Sequence, residues 1–177
     1  MTAWNCIVTC PRHMEEDAMA EAEELLGRMG DASPGAEPTG ISGIVVVRTG
    51  LDPVAFSRQV RQEVAEAPWS VRYIRRIIPV HIVGRSDMQS VLNAVEGLSS
   101  RIGPEDTYRV SLEKRNTQAS GQEIIKSIAA TIPNKVSLED PDVVVQVEIL
   151  GGVAGVSVLR PGDIFSLETA KREMSDC

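Results

Sequence analysis

The sequence predicts an α/β protein with two parts, each a β-sheet covered by helices. Apolar residues recur at helical spacing in four segments, which is the periodicity of amphipathic helices. Short β-branched runs lie between these segments, and the clearest of them, Ile44–Arg48, is typical of a buried strand. Because 42% of the 177 residues are hydrophobic, the chain can bury a substantial core.

The first part has the predicted order β-α-β-α-β. Strands are predicted at residues 3–10, 44–48 and 69–83, with a break at Pro79, and helices at residues 14–29 and 53–67. Asp52 is placed to cap the second helix, because Pro53 suits the first helical turn. Residues 31–43 are rich in Pro, Gly and Ser and are predicted to form a loop. The pattern leaves the pairing open between parallel and antiparallel.

The second part has a predicted central sheet with helices over it. Capping boxes at residues 86–89 and 120–123 predict two helix starts, and Pro133 ends the second helix. Strands are predicted at residues 108–113, 143–149 and 153–159. The second helix is expected to bury Ile124, Ile125, Ile128, Ala129 and Ile132.

Charge is distributed unevenly along the chain. The formal net charge of −7 at first argues against a nucleic-acid partner. Residues 69–135, however, carry 10 basic and 6 acidic groups, whereas residues 1–68 carry 5 and 11 and residues 136–177 carry 3 and 8. The middle of the chain is therefore a basic segment in an acidic protein, where a polyanion would bind.

The cysteines and histidines show no pattern of metal or redox chemistry. Cys6 and Cys10 lie four residues apart in a predicted strand, roughly 13 Å, which is too far for a disulfide. With Cys177 the count is odd, as expected for reduced thiols, and Cys6 and Cys10 are predicted to be core residues. Structural or surface roles are predicted for His13 and His81, which have no partner at metal-ligand spacing. No P-loop, nucleophile elbow or dinucleotide-binding glycine motif occurs, so we expect no metal and no cofactor.

The first predicted helix is strongly acidic. Its charges are interpreted as a solvated face that suits a helix N-terminus, and a surface for a basic protein partner is the alternative. The residues are Glu15, Glu16, Asp17, Glu21, Glu23 and Glu24.

Two basic groups lie in the middle segment. The first is Arg72, Arg75 and Arg76, followed by Arg85; in a strand, Arg72 and Arg76 would share a face. The second is residues 114–116, Lys-Arg-Asn, between a strand and a capped helix, with Lys126 and Lys135 beyond it. Such a loop can hold a phosphate against free helix N–H groups. Since aromatic residues are only 3% of the chain, RNA would be gripped by phosphate and shape more than by stacked bases. Ordinary surface charge is the alternative interpretation.

Several stretches together resemble a known module. The second part resembles the THUMP domain, an RNA-binding module of tRNA-modifying enzymes, in VSLEKRN (110–116), SGQEIIKSIA (120–129), NKVSLEDPDVVVQVEI (134–149) and GGVAGVSVL (151–159). The first part resembles the ferredoxin-like domain that accompanies THUMP, in residues 6–31, SGIVVVRTGLDP (42–53) and VRYIRRIIPV (71–80). The whole arrangement is similar to the THUMP-domain adaptor of the tRNA cytidine-N4 acetyltransferase.

The resemblance implies an α/β fold with a ferredoxin-like domain at residues 1–80 packed on a THUMP domain. The THUMP domain would have a central sheet and span residues 81–177 with a short C-terminal tail, although a THUMP profile could begin at about residue 52. It also implies binding of tRNA, at the acceptor stem and 3′ end, and a separate RNA cytidine acetyltransferase as the partner that uses acetyl-CoA and ATP. The implied RNA-binding residues are Arg115, Asn116, Lys135 and Arg76, then Arg72, Arg75, Lys114, Asn134 and Arg160, while Leu138 and Pro141 shape a turn.

We expect the chain to be no enzyme, because the 177 residues leave no room for the catalytic domains to which other THUMP proteins are fused. Two alternatives stay open: a targeting module for another tRNA-modifying enzyme in trans, and a small α/β enzyme with an unrecognised site. A cytoplasmic location is expected, since no apolar run approaches the roughly 18–20 residues of a membrane span and no secretory signal opens the sequence.

Overall fold

A computed structural model describes residues 3–176. Its elements are β1 (Cys6–Thr9), α1 (Glu15–Arg28), β2 (Gly35–Pro38), β3 (Ile44–Arg48), α2 (Pro53–Glu66), β4 (Arg76–Pro79), β5 (Ile82–Arg85), α3 (Met88–Gly97), a 3-10 turn (Ser99–Arg101), β6 (Tyr108–Arg115), α4 (Gly121–Thr131), β7 (Val143–Leu150), β8 (Val153–Leu159), β9 (Phe165–Ser166) and α5 (Leu167–Ser175). They form two compact units: the first comprises the described residues up to Pro79 and from Gly162 onward, and the second is Val80–Pro161. Within the described range, none of the helices combines the length and apolar character that crossing a bilayer requires.

The first unit is a five-stranded antiparallel sheet in the order β2-β3-β1-β4-β9. The order β-α-β-β-α-β along the chain from β1 to β4 is that of a ferredoxin-like fold. Helices α1 and α2 pack on β1, β3 and β4 around a core that includes Leu25, Phe56 and Ile77. The side chain of Asp52 accepts a hydrogen bond from the backbone N–H of Val54, which confirms the predicted cap of α2.

Strand β2 lies inside the stretch that was predicted to be a loop. Its sequence is Gly-Ala-Glu-Pro, and Gly and Pro are depleted in strands, so neither composition nor alternation marked it. The strand sits at the edge of the sheet and pairs on one side only, with β3. An edge position tolerates Pro38, because its missing N–H costs no ladder hydrogen bond there.

The prediction of one long extended stretch at residues 69–83 was partly wrong. Strand β4 begins only at Arg76, and a second strand, β5, follows in the other unit. The backbone N–H groups of Arg72, Tyr73 and Ile74 donate instead to the carboxylate of Glu21, at 2.8 to 3.0 Å. Glu21 is therefore not simply a solvated charge of the acidic helix. Its carboxylate accepts hydrogen bonds from backbone N–H groups that lie outside the paired strands.

Both cysteines of the described chain that were predicted to be core residues are buried and free. Cys6 is fully buried in β1, where desolvation raises its thiol pKa, and Cys10 follows the strand. His13 is exposed and has a φ of 69°, and His81 accepts a hydrogen bond from the Val158 N–H through Nδ1 at 3.2 Å. Cys177 lies outside the described residues.

The second unit is a four-stranded sheet in the order β5-β8-β7-β6. Strands β6 and β7 are parallel and α4 connects them, whereas the other neighbours are antiparallel. Ser120 caps α4 as predicted, but α3 is capped by Asp87 rather than Ser86. The core buries Ile124 and Ile128 of α4, while Ile125 is 38% exposed, contrary to prediction.

The last segment of the chain pairs with the first unit, whereas the sequence grouped it with the second part. Phe165 of β9 is in register with Ile77 of β4 and is fully buried. The buried carboxylate of Asp163 accepts from the Nε of Arg58 in α2 at 3.0 Å. A short strand and one ion pair therefore return the chain to a sheet that it left about 85 residues earlier.

Candidate nucleic-acid interface

The predicted binding residues fall into three places. One group lies at the carboxyl end of β6, a second at the amino end of the same strand, and a third at the start of β4 in the first unit. Strand β6 spans seven residue steps from Tyr108 to Arg115, so the first two groups are separated by roughly 23 Å along the sheet. The predicted residues of the second unit therefore do not form one pocket.

The carboxyl end of β6 belongs to a basic edge of the second sheet. Arg115 pairs with Leu150, Leu150 with Val153, and Val153 with Arg85, which places both arginines in one row across four strands. Three strand spacings put their backbones roughly 14 Å apart. Helices α3 and α4 both begin at this edge, because they follow β5 and β6. We call Arg85, Lys114 and Arg115 the basic edge.

Arg115 is held by acidic partners. Its guanidinium lies 3.6 Å from the carboxylate of Glu113 and 3.8 Å from that of Glu148. The Glu148 side chain is buried and also accepts a hydrogen bond from the Gln146 amide at 2.8 Å. The expected exposed loop position of Arg115 was wrong: the residue ends β6, and its side chain is 34% exposed. The charge is therefore fixed in place and partly neutralised.

Lys114 and Asn116 shape the loop between β6 and α4. The Lys114 ammonium donates to the Ala119 carbonyl at 2.6 Å, while the residue stays exposed. Asn116 has a φ of 60°, the left-handed region that Asn enters more readily than most side chains. It lies beside Gly151, which turns the chain after β7 with a φ of 62°. The Asn116 side chain is exposed, and the local backbone conformation alone accounts for an Asn at this position.

At the amino end of β6, two predicted residues serve the fold. Asn134 donates both amide hydrogen bonds, to the carbonyls of Gly103 and Asp106. Arg160 donates to the carboxylate of Asp106 at 3.1 Å. The Gly103 N–H and then Arg160 lower the pKa of Asp106. Lys135 is exposed, and its carbonyl accepts from Tyr108.

The third group opens onto a groove in the first unit. Arg75 and Arg76 line this groove of about 490 Å³ together with Lys171 of α5. Arg72 lies outside it and is exposed. Sequence reasoning missed Lys171, because no local pattern links it to Arg76, and only the pairing of β9 with β4 brings α5 to this place. We call this the first-unit groove.

Residues 86–159 match the family model of the THUMP domain. This range begins just before α3 and ends with β8, so the second unit contains a THUMP domain, as the sequence motifs predicted. No curated protein sequence matches the chain significantly.

The fold is similar to solved structures at low sequence identity. PH1313 from Pyrococcus horikoshii Ot3 superposes with a TM-score of 0.64 at 16% identity, over 89% of this chain and 55% of that one. TrmN from Thermus thermophilus gives 0.56 at 16% identity, over 89% and 46%. A 4-thiouridine synthetase in complex with RNA and bound ATP gives 0.57 at 13% identity, over 93% and 42%. The chain spans about half the length of these structures.

Proposed function

We propose that this chain is a tRNA-binding adaptor that presents tRNA to a separate RNA cytidine acetyltransferase for N4-acetylcytidine formation. The observation that carries the binding proposal is the basic edge, of which Lys114 and Arg115 lie within the range that matches the THUMP domain and Arg85 lies one residue before it. The similarity in fold to a 4-thiouridine synthetase–RNA complex supports it. The adaptor role and the acetyltransferase partner rest on the motif resemblance of the whole chain to that subfamily.

The basic edge suits a phosphate backbone for physical reasons. Arg85 and Lys114 are exposed cations, and the N-terminus of α4 adds positive potential at the same edge, whereas the N-terminus of α3 is capped by the Asp87 carboxylate, which lies 3.7 Å from Arg85. The ion pairs of Arg115 with Glu113 and Glu148 restrict its side chain, so less side-chain entropy is lost when it meets a phosphate. The distance of roughly 14 Å across the edge exceeds the roughly 6–7 Å between phosphates of one strand, so the edge would contact more than one nucleotide.

The division of labour follows from what each partner supplies. Acetyl transfer to the weakly nucleophilic amine of cytidine needs an activated acyl donor, which the acetyltransferase would provide from acetyl-CoA with ATP. The adaptor would hold the RNA next to the enzyme. This raises the effective concentration of the RNA and leaves the chemical step to the acetyltransferase. We propose that the exposed acidic side chains of α1 form the surface that meets the enzyme: Glu16, Asp17, Glu23 and Glu24.

The binding step is tested by titrating the purified full chain with tRNA. We expect the double variant Arg85→Ala with Lys114→Ala to weaken binding at least 10-fold, since two charged contacts are lost. Arg101→Ala is the matched control, because Arg101 is exposed in the same unit but lies at the opposite end of the sheet. Because the double variant removes two charges and the control removes one, equal losses of binding free energy per charge removed would mean that total charge, and not the basic edge, determines binding.

The adaptor step is tested by reconstitution with tRNA, acetyl-CoA and ATP. We expect no acetylation with this chain alone, N4-acetylcytidine when the cognate acetyltransferase is added, and a higher yield on a subset of tRNAs when both are present. Nucleoside analysis of tRNA from cells lacking the chain should show loss of N4-acetylcytidine. Loss of another modified nucleoside instead would favour the alternative, a targeting module for a different enzyme, and acetylation by the chain alone would overturn the adaptor proposal.

A further inference from the structure

We propose that a groove between helices α1 and α2 of the first unit docks a helix of a protein partner, with apolar side chains on one face and a basic side chain beside them. The proposal rests on the proposed function, since the partner is the acetyltransferase that the acidic side chains of α1 are proposed to meet. The site is separate from the first-unit groove and shares none of its lining residues. We call it the α1–α2 groove.

The α1–α2 groove lies where the end of α1 faces the first turns of α2. Its volume is about 510 Å³, and α2 contributes one stripe of side chains to it. Ala55, Phe56, Gln59 and Glu63 recur at helical spacing, so they share a face of α2 that extends over roughly 12 Å. A groove a little over two helical turns long suits a helix that lays its apolar face into it.

The floor of the groove is apolar. Phe56 is buried at its base, and the half-buried Met29 and Leu51 pack against the same core while they line the groove. Methionine is unbranched and adapts to side chains of different shape, which is why it is frequent on surfaces that bind helices. An apolar side chain of the partner would therefore meet an apolar and adaptable surface here.

The carboxylate of Glu63 determines which charge the partner should carry. Its Oε2 atom is buried and accepts no hydrogen bond from the described residues, and the guanidinium of Arg28 lies 3.5 Å from it. A buried acceptor that lacks a hydrogen bond is destabilising, so a donor from the partner would satisfy it. Among the described lining residues, the carboxylates of Asp52 and Glu63 outnumber the one guanidinium, so that donor should be a basic side chain.

The same charges disfavour two other occupants. A nucleic-acid backbone would be repelled by the two carboxylates of the lining. A second copy of this chain would bring two acidic surfaces together, because residues 1–68 carry 5 basic and 11 acidic groups.

The groove is continuous with the acidic surface of α1. The exposed Glu24 lies one helical turn before Arg28, which lines the groove. An amphipathic helix with basic residues could therefore bury its apolar face in the groove while its basic residues meet α1.

The experiment measures the affinity of the full chain for the purified cognate acetyltransferase by isothermal titration calorimetry. We expect Gln59→Arg to weaken binding about 10-fold or more, because the added charge opposes the basic side chain of the partner. Gln62→Arg is the matched control, since it adds the same charge to the same helix outside the lining. Both glutamines are exposed, so neither change should alter the fold.

Two further pairs of variants test the apolar anchor and the carboxylate separately. Ala55→Trp fills the groove and should weaken binding about 10-fold or more, whereas Ala65→Trp, at an exposed position outside the lining, should bind like wild type. Glu63→Gln should weaken binding about 5-fold and reduce its salt dependence, and Glu66→Gln should have less effect. Each variant is also titrated with tRNA, and an unchanged tRNA affinity shows that its fold is intact.

The wild-type chain tests the proposed function, and the variants test the groove. If wild type binds the acetyltransferase and Gln59→Arg and Ala55→Trp bind it as tightly, the groove proposal is overturned and the adaptor function stands. Equal losses in the groove variants and their controls would also overturn it, as would a dimer of the chain alone that Ala55→Trp dissociates. If wild type has no affinity for the acetyltransferase, with or without tRNA, the adaptor function fails and the groove proposal fails with it.

Discussion

The guanidinium of Arg115 lies 3.8 Å from the carboxylate of Glu148, a side chain that is only 1% exposed. A buried carboxylate without a compensating charge destabilises the fold. The stability of the second sheet therefore depends on Arg115, a residue that the THUMP resemblance implies to bind RNA. Arg115 therefore has a structural role in addition to its proposed contact with a phosphate.

Arg115→Ala is expected to lower the free energy of unfolding by about 1–3 kcal/mol, less than for a fully buried pair because Arg115 is a third exposed. Arg115→Lys should retain most of this stability but lose the planar guanidinium. Chemical denaturation and tRNA titration of both variants check the prediction. An Arg115→Ala variant with unchanged stability and unchanged tRNA binding would contradict both the structural role and the RNA-binding role of Arg115.

Binding of tRNA should be weak and mostly electrostatic, because the formal net charge is −7 and only a few basic groups cluster. If ~4 phosphates are contacted, log affinity should fall with log salt at a slope of roughly −3 to −4. Binding assays at roughly 50 to 300 mM salt provide the measurement. A slope near zero would contradict binding through phosphates.

Asn116 allows backbone strain to be separated from RNA contact. At its φ of 60°, Asn116→Ala should cost roughly 1 kcal/mol of stability, whereas Asn116→Gly should be nearly neutral, because Gly enters this region freely. If the amide touches RNA, both variants should weaken tRNA binding alike. Affinities that follow stability instead would show that Asn116 acts only through the turn.

Asp106 should contribute to acid sensitivity. The Gly103 N–H and Arg160 lower its pKa in the folded chain, so its contribution to stability is present above the unfolded pKa of about 4 and is lost as pH falls through the folded value. Asp106→Asn should therefore reduce stability at pH 7 and flatten the decline below pH ~4. Urea unfolding at several pH values tests this, with the exposed neighbour Glu105→Gln as control. An unchanged acid profile in Asp106→Asn would refute it.

Glu21 should behave unlike the other acids of α1. Its carboxylate accepts three backbone N–H groups, so Glu21→Ala is expected to cost roughly 1–3 kcal/mol, whereas Glu24→Ala, on the exposed face, should stay within about 0.5 kcal/mol. Thermal unfolding compares the two. Charge reversal for the partner surface is therefore best made at Glu16 and Glu24, and equal stability of both alanine variants would show that Glu21 is dispensable.

Local patterns in the sequence determined where several strands and helices lie. The β-branched run of β3, the strand β7 and the caps at Asp52 and Ser120 are all where the sequence predicted them. They were predictable because periodicity and capping depend on residues a few positions apart. The Lys114–Asn116 stretch and the motifs that resemble THUMP were predictable for the same reason, because each is a contiguous run of residues.

Contacts between distant residues were decided by the tertiary structure alone. Glu21 reaches backbone groups more than 50 residues away, Glu148 becomes a buried partner of Arg115, and Lys171 joins Arg76 through the two-residue strand β9. None of these leaves a periodic trace, because strand pairing sets which side chains meet and a short edge strand carries little pattern of its own. The sequence therefore determined the kinds of element and the charged motifs. The pairing of strands decided which charged side chains lie on a common surface and which form contacts inside the fold.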